Sequence, residues 1–118
     1  MRKLRVLVVE DEALVAMLVE DLLNELGHEV GAIASRMEDA LANARTGQYD
    51  VAIIDLNLDG QPSYPVADIL SERGVLFIFA TGYGAGGLDS KYSGVPVLTK
   101  PFVADDLEKM LMQLCGSI

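Results

Sequence analysis

Glu10, Asp11, Asp55, Thr81 and Lys100 are the residues of this chain whose types could do chemistry together. Each stands at the end of an apolar run: residues 4–9, 51–54, 75–80 and 95–99. Runs of this length bounded by turn residues read as strands buried on both faces. In an open parallel sheet, ligands bind in the crevice beyond the carboxyl ends of the strands. Singly, each residue has an ordinary explanation, since acid pairs cap helices, a Thr packs and a Lys is a solvated charge. Their convergence on one rim is much harder to obtain by chance. Three carboxylates gathered there repel one another, each pair by roughly 4 kcal/mol at about 4 Å and an effective dielectric of about 20. Such a cluster needs a cation, and all-oxygen ligation is what Mg²⁺ prefers. The metal would hold a phosphoryl oxygen against Asp55, Lys100 would neutralise a second, and the Thr81 hydroxyl would donate to a third. That chemistry is phosphoryl transfer with Asp55 as the nucleophile. Relief of the carboxylate repulsion by Mg²⁺ should stabilise the fold, and Asp11→Asn should do the same without metal.

The intervening chain must supply the helices that hold these strands in one sheet. Val15, Leu18, Val19, Leu22 and Leu26 predict a helix over about 12–26, closed by Gly27 in the C′ position. Residues 29–34 read as a strand. Ser35 and Glu38 match a capping box, and Met37, Ala40, Leu41 and Ala44 continue the helix to Gly47. Ser63, Val66, Ile69 and Leu70 predict a short third helix ending at Gly74. The 95–99 strand is placed at an edge, because Pro96 cannot donate to a ladder. Leu107, Met110, Leu111 and Leu114 mark a last helix at about 103–115, with Asp105 and Asp106 at the positive end of its dipole. Residues 83–94 hold three glycines in their first five positions, each costing a helix roughly 1 kcal/mol relative to Ala. This segment is expected to be mostly loop, with a single turn anchored by Leu88 and Tyr92 at most. Strands and helices alternate without a repeat or linker, which predicts a doubly wound α/β sandwich.

The length of 118 residues suits one domain, and 51% hydrophobic residues suffice for a real core. Nine basic against eighteen acidic residues leave a formal net charge of −9. Nucleic acids and anionic membranes both require a basic face and are therefore excluded as partners. Cys115 is the single cysteine, so a disulfide framework is ruled out and a reducing cytoplasm is expected. The apolar run at 4–9 is too short for an export signal and ends in acids. No stretch is long enough to span a bilayer.

Taken together, the Glu10-Asp11 pair, Asp55, Thr81 and Lys100-Pro101 resemble the receiver domain of two-component response regulators over essentially the whole chain. The resemblance implies a flavodoxin-like five-stranded parallel sheet, (βα)5, with the fourth helix short or replaced by a loop. It also implies that Asp11 ligates Mg²⁺ directly, with Glu10 beside it as a common variant of the first acid. Asp55 would be phosphorylated by a histidine kinase or histidine phosphotransfer protein, and the Asn57 backbone carbonyl would face the metal. Thr81 and Lys100 would bind the phosphoryl group, the Lys100–Pro101 peptide would be cis, and Ala13, Ala16 and Met17 would form a docking face for a kinase helix pair. Phe79-Ala80-Thr81-Gly82-Tyr83 looks like a subgroup of single-domain receivers known from alphaproteobacteria. Membership there implies a single domain over 1–118 without an output domain, not an enzyme, acting on a downstream protein target as a monomer or weak dimer.

Departures from the family pattern bear on the switch. The aromatic residue usual three positions before the Lys is Val97 here, and Tyr83 is the candidate to replace it. Leu58-Asp59-Gly60 stands where Met-Pro is usual. His28, far from the rim, reads as a surface residue. Three alternatives remain. A haloacid-dehalogenase-type aspartyl phosphatase would want a second Asp where the chain has Asn57. A flavodoxin-like cofactor binder would be repelled by Glu10-Asp11-Glu12, and a non-phosphorylated pseudo-receiver scaffold is kept open by Val97.

Overall fold

The computed structural model describes residues 3–82 and 88–116. The chain forms β1 (Arg5–Val9), α1 (Ala13–Glu25), β2 (Glu29–Ala34), α2 (Met37–Thr46) and β3 (Val51–Asp55). A small hairpin, β4 (Asn57–Leu58) and β5 (Gln61–Pro62), leads into α3 (Tyr64–Glu72) and β6 (Leu76–Thr81). One 3₁₀ turn, Ser90–Tyr92, precedes β7 (Val97–Thr99) and α4 (Ala104–Cys115). The main sheet has the order β2-β1-β3-β6-β7 and every pair in it is parallel. This is the flavodoxin-like order, with β7 at the edge as Pro96 requires. Of the 83–94 segment, residues 88–94 hold only that 3₁₀ turn, anchored by the buried ring of Tyr92; the rest of that expectation, Tyr83 included, falls outside the described residues.

Successive side chains on a strand point to opposite faces, and two cores result. Leu7, Val9, Ile54 and Phe79 pack with the residues of α2 and α3. Val6, Val8, Ile53 and Ile78 pack with Val19 and Leu23 of α1 and with Leu107 and Leu111 of α4. β3 is buried along its whole length, which is why its sequence shows no alternation.

Local chemistry corrects four expectations. The Ser35/Glu38 capping box does not form: the chain stays extended through Arg36, which occupies the N-cap without a side-chain bond, and the helix begins one residue late for the motif. Ser63 does stand at the N-cap of α3, yet its hydroxyl donates backward to the Leu56 carbonyl at 3.2 Å and caps nothing. α1 is rotated from its predicted face. Ala16, Val19 and Leu23 are buried, while Leu18 is 46% exposed.

The fourth correction concerns His28, which is buried and accepts the Leu4 N–H on Nδ1 at 3.0 Å. The chain reverses at Gly27 (φ 89°), and the His28 N–H bonds back to the Leu23 carbonyl. That turn lays the imidazole over the start of β1. Burial pushes its pKa below the ordinary 6.5, against a weaker upward pull from Glu108. Below that ordinary value the unfolded chain binds a proton that the folded chain resists, so stability is lost as pH falls. Between about pH 7 and about pH 5 the parent should lose more stability than His28→Gln, which keeps an acceptor but does not titrate. Equal losses in chemical denaturation of the two proteins would remove His28 from this role.

Candidate functional site

The carboxyl ends of β1, β3, β6 and β7 meet at one rim because the strands are parallel and closely registered. Ile54 pairs with Val9 and with Phe79, and Thr81 pairs with Thr99. Each strand therefore releases its polar residue at the same level. The Lys100 N–H donates to the Thr81 carbonyl at 2.8 Å, which carries the register one residue past the strands. The Lys100–Pro101 peptide is cis, as the resemblance implied.

The side chains converge as expected. Carboxylate oxygens of Glu10, Asp11 and Asp55 lie within 4.8 Å of one another. Lys100 Nζ is 2.6 Å from Glu10 Oε1 and 3.3 Å from Asp55 Oδ2. Glu10, only 4% exposed, also accepts the Glu12 N–H at 3.1 Å. Asp55 Oδ1 accepts the Asn57 N–H at 3.3 Å, and Asp11 Oδ2 accepts the Asp59 N–H at 3.0 Å. An open cleft of about 390 Å³ lies above them, with Asp11, Asp55, Asn57, Thr81 and Lys100 in its walls. Glu10 lies outside this cleft, in the wall of a neighbouring groove with Ala13 and Ser35, and is held by Lys100.

Burial, and then the Glu10 carboxylate, push the Asp55 carboxyl up to about 7 against the pull of Lys100. Burial also acts to raise Asp11, but the Asp59 N–H and neighbouring donors outweigh it and hold the carboxyl below its ordinary value. Lys100 is raised: burial opposes its charge, and the Glu10 hydrogen bond and the Asp55 charge more than restore it. Burial and the Glu10 charge thus weigh on Asp55, whereas Asp11 is the better-stabilised carboxylate. A hard divalent cation fits this oxygen set, since it would restore the ionised form of Asp55 while using the already ionised Asp11.

Sequence reasoning missed the hairpin that carries Asp59. Asp59 (φ 54°) and Gly60 (φ 78°) form its two-residue turn, and Asp-Gly is the signal that marks such turns. Of the three residues expected to form a docking face, Ala13 and Met17 are exposed and Ala16 is not. Ala16 is buried, and the large apolar side chains that α1 exposes are Leu14 (81%), Met17 (58%) and Leu18. Two grooves flank this helix at the rim. One, of about 340 Å³, holds Met17 and Ile33; the other, of about 260 Å³, holds Leu18, Pro101 and Phe102. Among the described residues no helix is long and apolar enough to cross a membrane.

The family model of the response regulator receiver domain matches residues 6–112. The two-component response regulator PhoP of Pseudomonas aeruginosa is 32% identical over 116 residues, covering 94% of this chain and 51% of that protein. The chain spans about half the length of the curated relatives it matches. Among solved structures, SdrG from Sphingomonas melonis Fr1 superposes with a TM-score of 0.87 at 40% identity, over 98% of this chain and 99% of that one. The BeF3-activated conformation of SdrG, from Pseudomonas melonis Fr1, gives a TM-score of 0.80 at 41% identity, over 94% and 96%.

A carboxyl whose pKa is raised by folding stays neutral in the folded chain but ionises on unfolding between its ordinary value of 3.8 and about 7. Stability therefore declines as pH rises through that window. In a chelator at about pH 8, Asp55→Asn should exceed the parent in stability by about 1 kcal/mol or more, and Mg²⁺ should stabilise the parent but not the variant. Denaturant titrations in which the variant is the less stable protein would refute this distribution of strain.

Proposed function

The chain belongs to the response regulator receiver domain family, and from that premise we propose that it is the phosphoacceptor of a two-component phosphorelay. The observation that carries this reading is the position of Lys100 Nζ between Glu10 and Asp55 in an open, acid-lined cleft. A lone ion pair would be closed over; this one leaves an Asp55 edge accessible to a donor. The family membership and the likeness to SdrG, which has a BeF3-activated conformation, support it further.

In the proposed reaction an Asp55 carboxylate oxygen attacks the phosphorus of a phosphohistidine on a histidine kinase or phosphotransfer protein. The P–N bond breaks, its electron pair stays on the imidazole nitrogen, which is then protonated, and an acyl phosphate forms on Asp55. Mg²⁺ bound by Asp11, Asp55 and the Asn57 backbone carbonyl, with Glu10 adding the third carboxylate, would neutralise charge on the transferring group. Lys100 would hold one phosphoryl oxygen by releasing part of its contact with Asp55 while Glu10 keeps it in place. The Thr81 hydroxyl, at the cleft wall, would donate to another. Leu14, Met17 and Leu18 with the two flanking grooves would seat the donor protein's helices, which matches an apolar face directly beside the chemistry.

With a net charge of −9, output is proposed to run through contact with a downstream protein and not through nucleic acid, in the cytoplasm where such relays exchange phosphoryl groups. The proposed unit is a single domain over 1–118. Incubated with acetyl phosphate and Mg²⁺, the parent should gain one phosphoryl group by intact mass; Asp55→Ala and samples in a chelator should gain none. Equal labelling of parent and Asp55→Ala would sink the assignment.

A further inference from the structure

A route from the site to the surface must run through groups packed on the strands that form the rim. The face of the sheet that bears Thr81 offers one. Thr81, Phe79 and Phe77 alternate along β6 and so share a face. Under them lies an aromatic group that joins three separate elements. Tyr64, first residue of α3, packs edge-on against Phe79 (centroids 6.0 Å apart) and stacks on Tyr92 of the 3₁₀ turn (5.4 Å, 14° between planes). Tyr92 also meets Phe77 and Phe79 edge-on at 5.9 and 5.7 Å.

Polar tethers fix the same turn. The Asp89 N–H donates to the Tyr64 hydroxyl at 2.7 Å. The Tyr92 hydroxyl donates to the Asp68 carboxylate, and Lys91 Nζ reaches the same carboxylate at 2.8 Å. The 3₁₀ turn is thus held to α3 largely by side chains of Tyr64 and Asp68. At the same N-terminal end, next to Tyr64, α3 is tied to the site. Ser63, fully buried, gives both its N–H (2.9 Å) and its hydroxyl (3.2 Å) to the carbonyl of Leu56, next to Asp55. The Leu56 N–H in turn donates to the Ala80 carbonyl at 2.9 Å, next to Thr81.

We propose that Tyr64 and Tyr92 form a latch through which phosphorylation at Asp55 sets the order of the turn at 88–92. The proposal rests on the phosphoacceptor reading and adds to it the route by which the site is read out. Drawing Thr81 toward a phosphoryl group on Asp55 shifts the end of β6 toward β3 and α3. The turn is thereby pressed onto the Tyr64–Phe79 surface, and its backbone hydrogen bonds open less often. Tyr64 packs on Phe79 and Tyr92 and takes the Asp89 N–H, so the latch is built on the core side of β6 and is separable from the chemistry.

Amide hydrogen exchange at residues 89–92, read with and without acetyl phosphate and Mg²⁺, tests this. In the parent, phosphorylation should slow exchange there. Tyr64→Phe keeps the ring and removes only the hydroxyl; without phosphodonor, its Asp89 amide should exchange roughly fivefold faster, the change in opening expected for one lost hydrogen bond. It should accept phosphoryl as the parent does, and the phosphoryl-dependent slowing should be lost. Tyr92→Phe, which removes the tether to Asp68, should behave alike and guards against a defect peculiar to α3. A labelled Tyr64→Phe that keeps the full slowing, or a labelled parent that shows none, overturns the latch alone. A parent that takes up no phosphoryl overturns the phosphoacceptor reading and the relay built on it.

Discussion

The ammonium of Lys100 between Glu10 and Asp55 is the contact on which the rest of the structure depends. Three carboxylates within 4.8 Å of one another would not remain together beside a buried sheet end without a compensating charge. Lys100 supplies one, at 2.6 Å from Glu10 and 3.3 Å from Asp55, and two negative charges are left over. The deficit is a binding property held ready: the site is stable enough to fold and still under-neutralised. Were the Lys closer to Asp55 than to Glu10, the same charges would make a closed ion pair. The asymmetry leaves Asp55 the poorly satisfied partner, and burial accordingly raises its carboxyl to about 7 while Asp11 goes down.

That contact spans ninety residues, from Glu10 to Lys100, and it exists only because the sheet brings β1 and β7 to a common level. The intermediate register runs through β3 and β6, whose pairing continues to Asp55 and Ala80. Beyond it, the Leu56–Ala80 and Lys100–Thr81 backbone hydrogen bonds extend the ladder over the crossovers. Site geometry is therefore a property of the strands, and the loops adjust it. This is the sense in which a parallel sheet preorganises a polar cluster that no single segment could hold.

The same logic explains what the amino-acid sequence disclosed. Buried parallel strands lack alternation, and an apolar run stopped by Asp55 or Thr81 marks both the element and its functional end. The strands and the rim could be read for that reason. The face of α1 could not. Leu14, Val15, Ala16, Met17, Leu18 and Val19 are apolar almost all round, so several stripes fit, and only the packing of Ala16, Val19 and Leu23 on the sheet selects one. Ser35 and Glu38 carry the spacing of a capping box, but β2 holds the chain extended too long for it to close. His28 looked superficial because a helix-ending Gly precedes it. Its burial follows from the direction of that turn, which local composition does not encode.

The site consequently connects to two segments of different construction. On the Asp11 side stands the hairpin, whose Asp-Gly turn has positive φ at both positions, whose Leu58 is fully buried and whose Asp59 N–H clasps Asp11. Its base is closed twice by Ser63 on the Leu56 carbonyl. Displacing this hairpin would expose a buried Leu and break backbone bonds together, so it moves as a unit or not at all. Away from the cleft, beneath Phe77 and Phe79 of β6, the Ser90–Tyr92 turn is a single turn of 3₁₀ helix, with backbone bonds mostly within itself, and rings and side-chain tethers fasten it to α3. Side-chain tethers break one at a time. The hairpin is the stiffer of the two, and only the turn has states within reach of a few hydrogen bonds, which is why the proposed readout runs through β6 and the turn.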